Sequence, residues 1–142
     1  MPEAQRTVSL ERMADMLVGA REGGSTWVTS LSRVTPEGVV VGRNDARGLL
    51  ALLPEPEAAD LRKSYEDFPI YVAPFVAGGS WKIRAESDPK EYTLDRAALE
   101  RGLQVMADKC PKHFADLVGE TDDADTADAF LQRCLFGQLV YG

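Results

Sequence analysis

The sequence predicts an α+β fold: an antiparallel sheet of about four to five strands, with an N-terminal helix and three C-terminal helices packed on one face. Three observations predict it. Trp81, Ile83 and Ala85 alternate with Lys82 and Arg84, the period of a half-buried strand whose basic residues face water. Leu10, Met13, Leu17 and Ala20, and later Leu94, Ala98, Leu99, Leu103 and Met106, recur at the three- and four-residue spacing of a helix face. Thr35-Pro36-Glu37-Gly38 separates two strand-forming runs as a hairpin turn.

In chain order, the first helix spans Ser9 to Arg21 and is stopped by Gly23-Gly24. Ser25 to Val34 is rich in β-branched, aromatic and small polar residues and predicts a strand, paired through the turn with Val39-Val40-Val41. In Asn44 to Asp67, Gly48 interrupts an apolar run ended by Pro54 and Pro56, which predicts a short strand or helical turn, then a polar helix or loop from Ala58 to Glu66. Phe68 to Phe75 has strand-forming composition, but Pro69 and Pro74 confine it to a sheet edge. Beyond Asp88-Pro89 the helical period begins, with Thr93 or Asp95 as the cap of a helix over 94–109. Pro111 opens a second helix that Gly119 ends, and a third runs from about Asp122–Asp125 to Gly137. No linker or repeat divides the chain, so residues 1–142 are expected to form a single domain.

No apolar run approaches the ~20 residues of a membrane helix, and Met1-Pro2-Glu3-Ala4-Gln5-Arg6 lacks the order of a secretory signal. A soluble cytoplasmic protein with no membrane partner is expected. Cys110 and Cys134 then read as free thiols. The chain holds 16 basic and 23 acidic residues, and residues 86–128 alone hold 5 and 12. Such a surface repels DNA phosphates and suits a basic partner.

Glu120, Asp122, Asp123, Asp125 and Asp128 are oxygen donors of the kind hard cations take, but no turn glycine or closing glutamate completes a calcium loop. Capping of a helix N-terminus by Asp122, Asp123 and Asp125 is the simpler expectation, with contact to a partner beside it. His113 stands three residues after Cys110, a spacing that straddles a helix start, and no residue fixed in sequence orients its ring. No glycine pattern matches a phosphate loop or a dinucleotide fingerprint. Neither a catalytic constellation nor a cofactor is predicted.

Gly23-Gly24-Ser25-Thr26-Trp27 and Gly78-Gly79-Ser80-Trp81 each place a flexible backbone and a hydroxyl ahead of an indole. That combination suits a ligand lip, where backbone N–H groups meet an anion and the ring stacks on it; the alternative is a turn leading to a core tryptophan. Gly23, Gly24, Ser25, Trp27, Gly78, Gly79, Trp81, Asp122, Asp123 and Asp125 are therefore the candidate partner- or ligand-binding residues. Leu135-Phe136-Gly137-Gln138-Leu139-Val140-Tyr141 is too apolar to hang free and packs on its own domain or, as an edge strand, on a second copy; a homodimer is expected.

Glu22-Gly23-Gly24-Ser25 before Trp27, Gly102-Leu103-Gln104-Val105-Met106-Ala107, His113-Phe114-Ala115-Asp116, Asp123 to Asp128, Phe130-Leu131-Gln132 and Leu135 to Gly142 carry a resemblance. They resemble a family of small proteins encoded by tailed bacteriophages and prophages. The resemblance covers the first helix and most of the last fifty residues, and it implies a setting, the cytoplasm of the host bacterium, but no catalytic residues. In that setting the expected role is counter-defence by non-enzymatic binding. The protein would occlude a host immune protein complex through residues 86–128, or sequester a nucleotide immune signal through the glycine–tryptophan lips with Arg33, Arg43 or Arg84 on the phosphates. The alternatives are a metal-dependent phage enzyme using the acidic residues 120–128 and a minor virion or assembly component.

Overall fold

The computed structural model describes residues 8–42, 45–86, 88–119 and 123–141. It is α+β, with a four-stranded antiparallel sheet, an N-terminal helix and C-terminal helices. The chain divides into two compact units: a helical unit, Met1–Trp27 with Ala97–Gly142, and a sheet unit, Val28–Arg96. Among the described residues no helix is long and apolar enough to cross a membrane.

In the helical unit, α1 (Leu10–Gly19) starts at Ser9, whose hydroxyl accepts from the Arg12 amide at 3.1 Å. Leu10, Met13, Leu17 and Ala20 are buried, as the spacing predicts, and Ala14 and Met16 widen that face. A π-helical turn, Ala20–Gly24, prolongs it. After α3 (Arg96–Lys109) come α4 (Pro111–Val118) and α5 (Ala124–Phe136). Helices can approach closely only where side chains are small. A Cβ on Gly19 would lie 2.9 Å from the Ala127 Cβ, and one on Gly102 would lie 2.2 Å from the Cys134 sulfur, so α1 and α3 both meet α5 at glycines. The Arg12 guanidinium donates to the Leu117 carbonyl at the end of α4 (3.1 Å) and to Asp15.

In the sheet unit, β1 (Val28–Val34), β2 (Val40–Val41), β3 (Ser80–Ala85) and β4 (Glu91–Leu94) lie in the order β2-β1-β3-β4. Arg33 pairs with Trp81, Leu31 with Ile83, and Ile83 with Tyr92. Trp81, Ile83 and Ala85 are buried while Arg84 is exposed, the alternation read from the sequence. The middle of the unit is helical, with a 3-10 helix at Ala46–Leu52 and α2 at Ala59–Ser64, joined by the Arg62 guanidinium donating to the Leu50 carbonyl at 3.0 Å and to Glu55.

Three expectations are corrected. Phe68 to Phe75 is two 3-10 turns, Pro69–Tyr71 and Ala73–Phe75, because each proline sits at the start of its turn, where its missing N–H costs nothing. Glu91–Leu94 is a strand, so Thr93 pairs with Lys82 across the sheet and caps no helix. The strand expected from Ser25 begins at Val28, because the Ser25 and Trp27 side chains are bonded into the helical unit.

Candidate functional site

Asp128, on α5, is the centre of a polar network inside the helical unit. Its Oδ1 accepts from the Ser25 hydroxyl (2.6 Å) and the Trp27 indole N–H (2.7 Å), and its Oδ2 accepts from the Gln132 amide (2.9 Å). Gly24 makes this possible. A Cβ there would stand 2.5 Å from the Ala124 carbonyl, so only glycine lets the loop lie against the start of α5.

One helical turn beyond Asp128, Gln132 is buried and uses its amide on both sides. Its Oε1 accepts from the Val140 and Tyr141 amides at 2.7 and 2.9 Å, while its Nε2 also donates to the Tyr141 carbonyl at 3.0 Å. Gly137, in the left-handed region at φ 72°, ends α5 and turns the chain so that residues 139–141 return along the helix. The Tyr141 ring stacks on Trp27 at 5.1 Å and 4°, and Phe136 closes the aromatic cluster at 5.3 Å from Trp27. The apolar tail therefore packs on its own unit, while Leu139 and Val140 remain about half exposed (49% and 52%).

Beside this network opens a cleft of about 570 Å³. Asp125, Asp128, Ala129 and Gln132, successive positions on one face of α5, form one wall; Leu139, Val140 and Tyr141 form another, and Gly24 and His113 complete the rim. Among the described residues no lysine or arginine lines it. The His113 Nδ1 lies 3.2 Å from the Thr126 hydroxyl. Asp125 and Asp128, three residues apart, set two carboxylates on the same face.

The acidic segment thus divides its roles. Asp123 caps α5, accepting from the Thr126 amide at 3.0 Å, and that hydrogen bond holds its carboxyl below the usual carboxylate range. Asp125 and Asp128 face the cleft, while Glu120 and Asp122 lie outside the described residues. No group of three His, Cys, Asp or Glu side chains among the described residues is placed to hold a metal ion. The Cys110 sulfur accepts from Arg133 at 3.1 Å while His113 faces Thr126, so the two residues have separate partners. Burial pushes the Cys134 thiol up, beyond reactive range at neutral pH.

The two glycine–tryptophan segments fall in different units. Gly24, Ser25 and Trp27 reach the cleft or its supporting network, but the Trp27 ring is 3% exposed and covered by Tyr141. A Cβ on Gly23 would meet nothing within 4 Å, so no close approach requires a glycine there. In the sheet unit, Gly78 supplies a positive φ, Gly79 lets the chain pass close to the Ala73 carbonyl, and Trp81 is 0% exposed with its N–H on the Ile70 carbonyl (2.9 Å). The expected stacking surface is therefore covered at both indoles. Sequence reasoning missed Gln132 and Tyr141 as site residues; the signal that could have found Gln132 is an amide set among the apolar Phe130, Leu131 and Cys134.

No family model, no curated protein and no solved structure matches this chain.

Proposed function

We propose that the protein is a phage- or prophage-encoded binding protein that acts in the cytoplasm of the host bacterium, occluding a basic surface of a host immune protein complex without turnover. The observation that carries this reading is the acidic cleft of the helical unit. That unit holds 12 acidic and 7 basic residues, and its cleft presents Asp125 and Asp128 with no lysine or arginine among the described residues. A field of that sign steers a basic partner in and keeps nucleic acid out. Groups otherwise suited to chemistry are used to hold the fold: Asp123 caps α5, Asp128 fixes the Trp27 loop, and Cys134 is sealed in the core.

Sequestration of a nucleotide is the weaker reading. A base needs an open aromatic face and phosphates need cations, whereas Trp27 and Trp81 are both covered and the cleft is anionic. The phage setting rests on the sequence resemblance alone; of the residues that carry it, Ser25, Trp27 and Gln132 meet at Asp128.

The test is affinity capture from phage-infected cells followed by native mass spectrometry. The expected result is a protein partner, released by salt and lost when Asp125→Lys and Asp108→Lys reverse the charge at two exposed positions. Recovery of a chemically altered small molecule, with more than one product formed per protein molecule, would overturn the non-enzymatic reading.

A further inference from the structure

We infer that the cleft between α5 and the returning tail is a receptor for one arginine side chain of the partner; this rests on the binding reading above and specifies its contact.

An ionised carboxylate offers about four acceptor positions. Asp128 has three filled, two on Oδ1 and one on Oδ2, and every donor is neutral: a hydroxyl, an indole N–H and a primary amide. Its charge is held in a fixed place and left uncompensated, with acceptor capacity remaining on the oxygen that carries a single bond. No ion pair to Asp128 or Asp125 occurs among the described residues. Asp125 stands three residues away on the same face and is exposed, so a cation seated at Asp128 meets a second carboxylate at the cleft mouth.

The remaining walls select the kind of cation. Leu139 and Val140 give an apolar surface for an aliphatic stem, and Tyr141 lines the same side. A guanidinium is planar, weakly hydrated and matched to a carboxylate edge and an aromatic neighbour, whereas an ammonium keeps its water more strongly. The Gln132 amide is fully occupied by Asp128 and the tail backbone, so it serves as a fixed wall and the two carboxylates carry the recognition.

The experiment is a two-dimensional NMR titration of the whole protein with N-acetyl-arginine amide, using N-acetyl-citrulline amide as the neutral isostere. The arginine probe is expected to give saturable shifts centred on Gly24, Ala129 and the Trp27 indole N–H, and the citrulline probe none. Asp125→Asn should weaken probe binding about threefold, and Asp128→Asn, which keeps an oxygen for Ser25 and Trp27, about tenfold. Equal shifts from both probes, shifts without saturation, or binding unchanged in both variants would each overturn the inference. Saturable arginine binding with no salt-sensitive partner in infected cells would overturn occlusion and leave the receptor standing. A partner captured at full strength by folded Asp128→Asn protein would remove the receptor and leave occlusion.

Discussion

Two regions of this molecule open with nearly the same letters and use them differently. In the helical unit, a glycine pair and Ser25 precede Trp27, whose N–H goes to a carboxylate. In the sheet unit, a glycine pair and Ser80 precede Trp81, whose N–H goes to the backbone carbonyl of Ile70, with Tyr71 5.8 Å from its ring. Both indoles are buried, and both glycine pairs let backbone pass close to a carbonyl, Ala124 in one case and Ala73 in the other. The difference lies in what the N–H bond leaves behind. A neutral carbonyl satisfied by Trp81 closes a core, whereas a carboxylate satisfied by neutral donors keeps its charge and fixes it at the edge of a cleft.

Truncating Trp81 should have the largest effect. Trp81→Ala opens a cavity in the sheet unit and should cost about 3–5 kcal/mol in chemical denaturation. A cost below about 1 kcal/mol would show that the sheet unit does not depend on that ring. Within one glycine pair the comparison becomes sharper. Gly24→Ala drives a methyl group to 2.5 Å from the Ala124 carbonyl and should cost about 2 kcal/mol, while Gly23→Ala, with nothing within 4 Å, should stay within about 0.5 kcal/mol. Equal costs would remove the close approach of the loop to α5. The smallest effect is the pH response of the Asp123 cap. Its folded carboxyl titrates below the ordinary 3.8, so its contribution is complete above that pH and is lost as pH falls through the lower folded value. Thermal midpoints of wild type should therefore fall by a few degrees more than those of Asp123→Ala on acidification. Parallel curves would show that the cap contributes nothing.

The strand at Trp81–Ala85 and the helices over 96–109 and 124–136 were legible in the sequence because each carries a long, regular burial period. Phe68 to Phe75 was not, since aromatic and β-branched composition fits a strand and a pair of proline-started turns equally well. Glu91–Leu94 is too short for its alternation to stand out beside the helix that follows. In the site, Asp123 was readable as a cap because its partner, Thr126, is three residues away. The Asp128 network was not readable. Two of its three donors sit about a hundred positions earlier in the chain, and Gln132, four residues on, also bonds backbone atoms that carry no side-chain signature.

Whether Ser25, Trp27, Asp128, Gln132 and the tail act as one unit is tested most directly by a double-mutant cycle between Trp27→Phe and Gln132→Ala. The Trp27 N–H and the Gln132 amide both bond Asp128, on its two different oxygens. Gln132 also anchors the Tyr141 backbone while Trp27 stacks on the Tyr141 ring. Loss of either should weaken what the other holds, so a coupling energy of about 1 kcal/mol is expected in denaturant unfolding. Costs that simply add, to within about 0.3 kcal/mol, would mean that the cleft wall is a set of independent contacts and that no single network holds it.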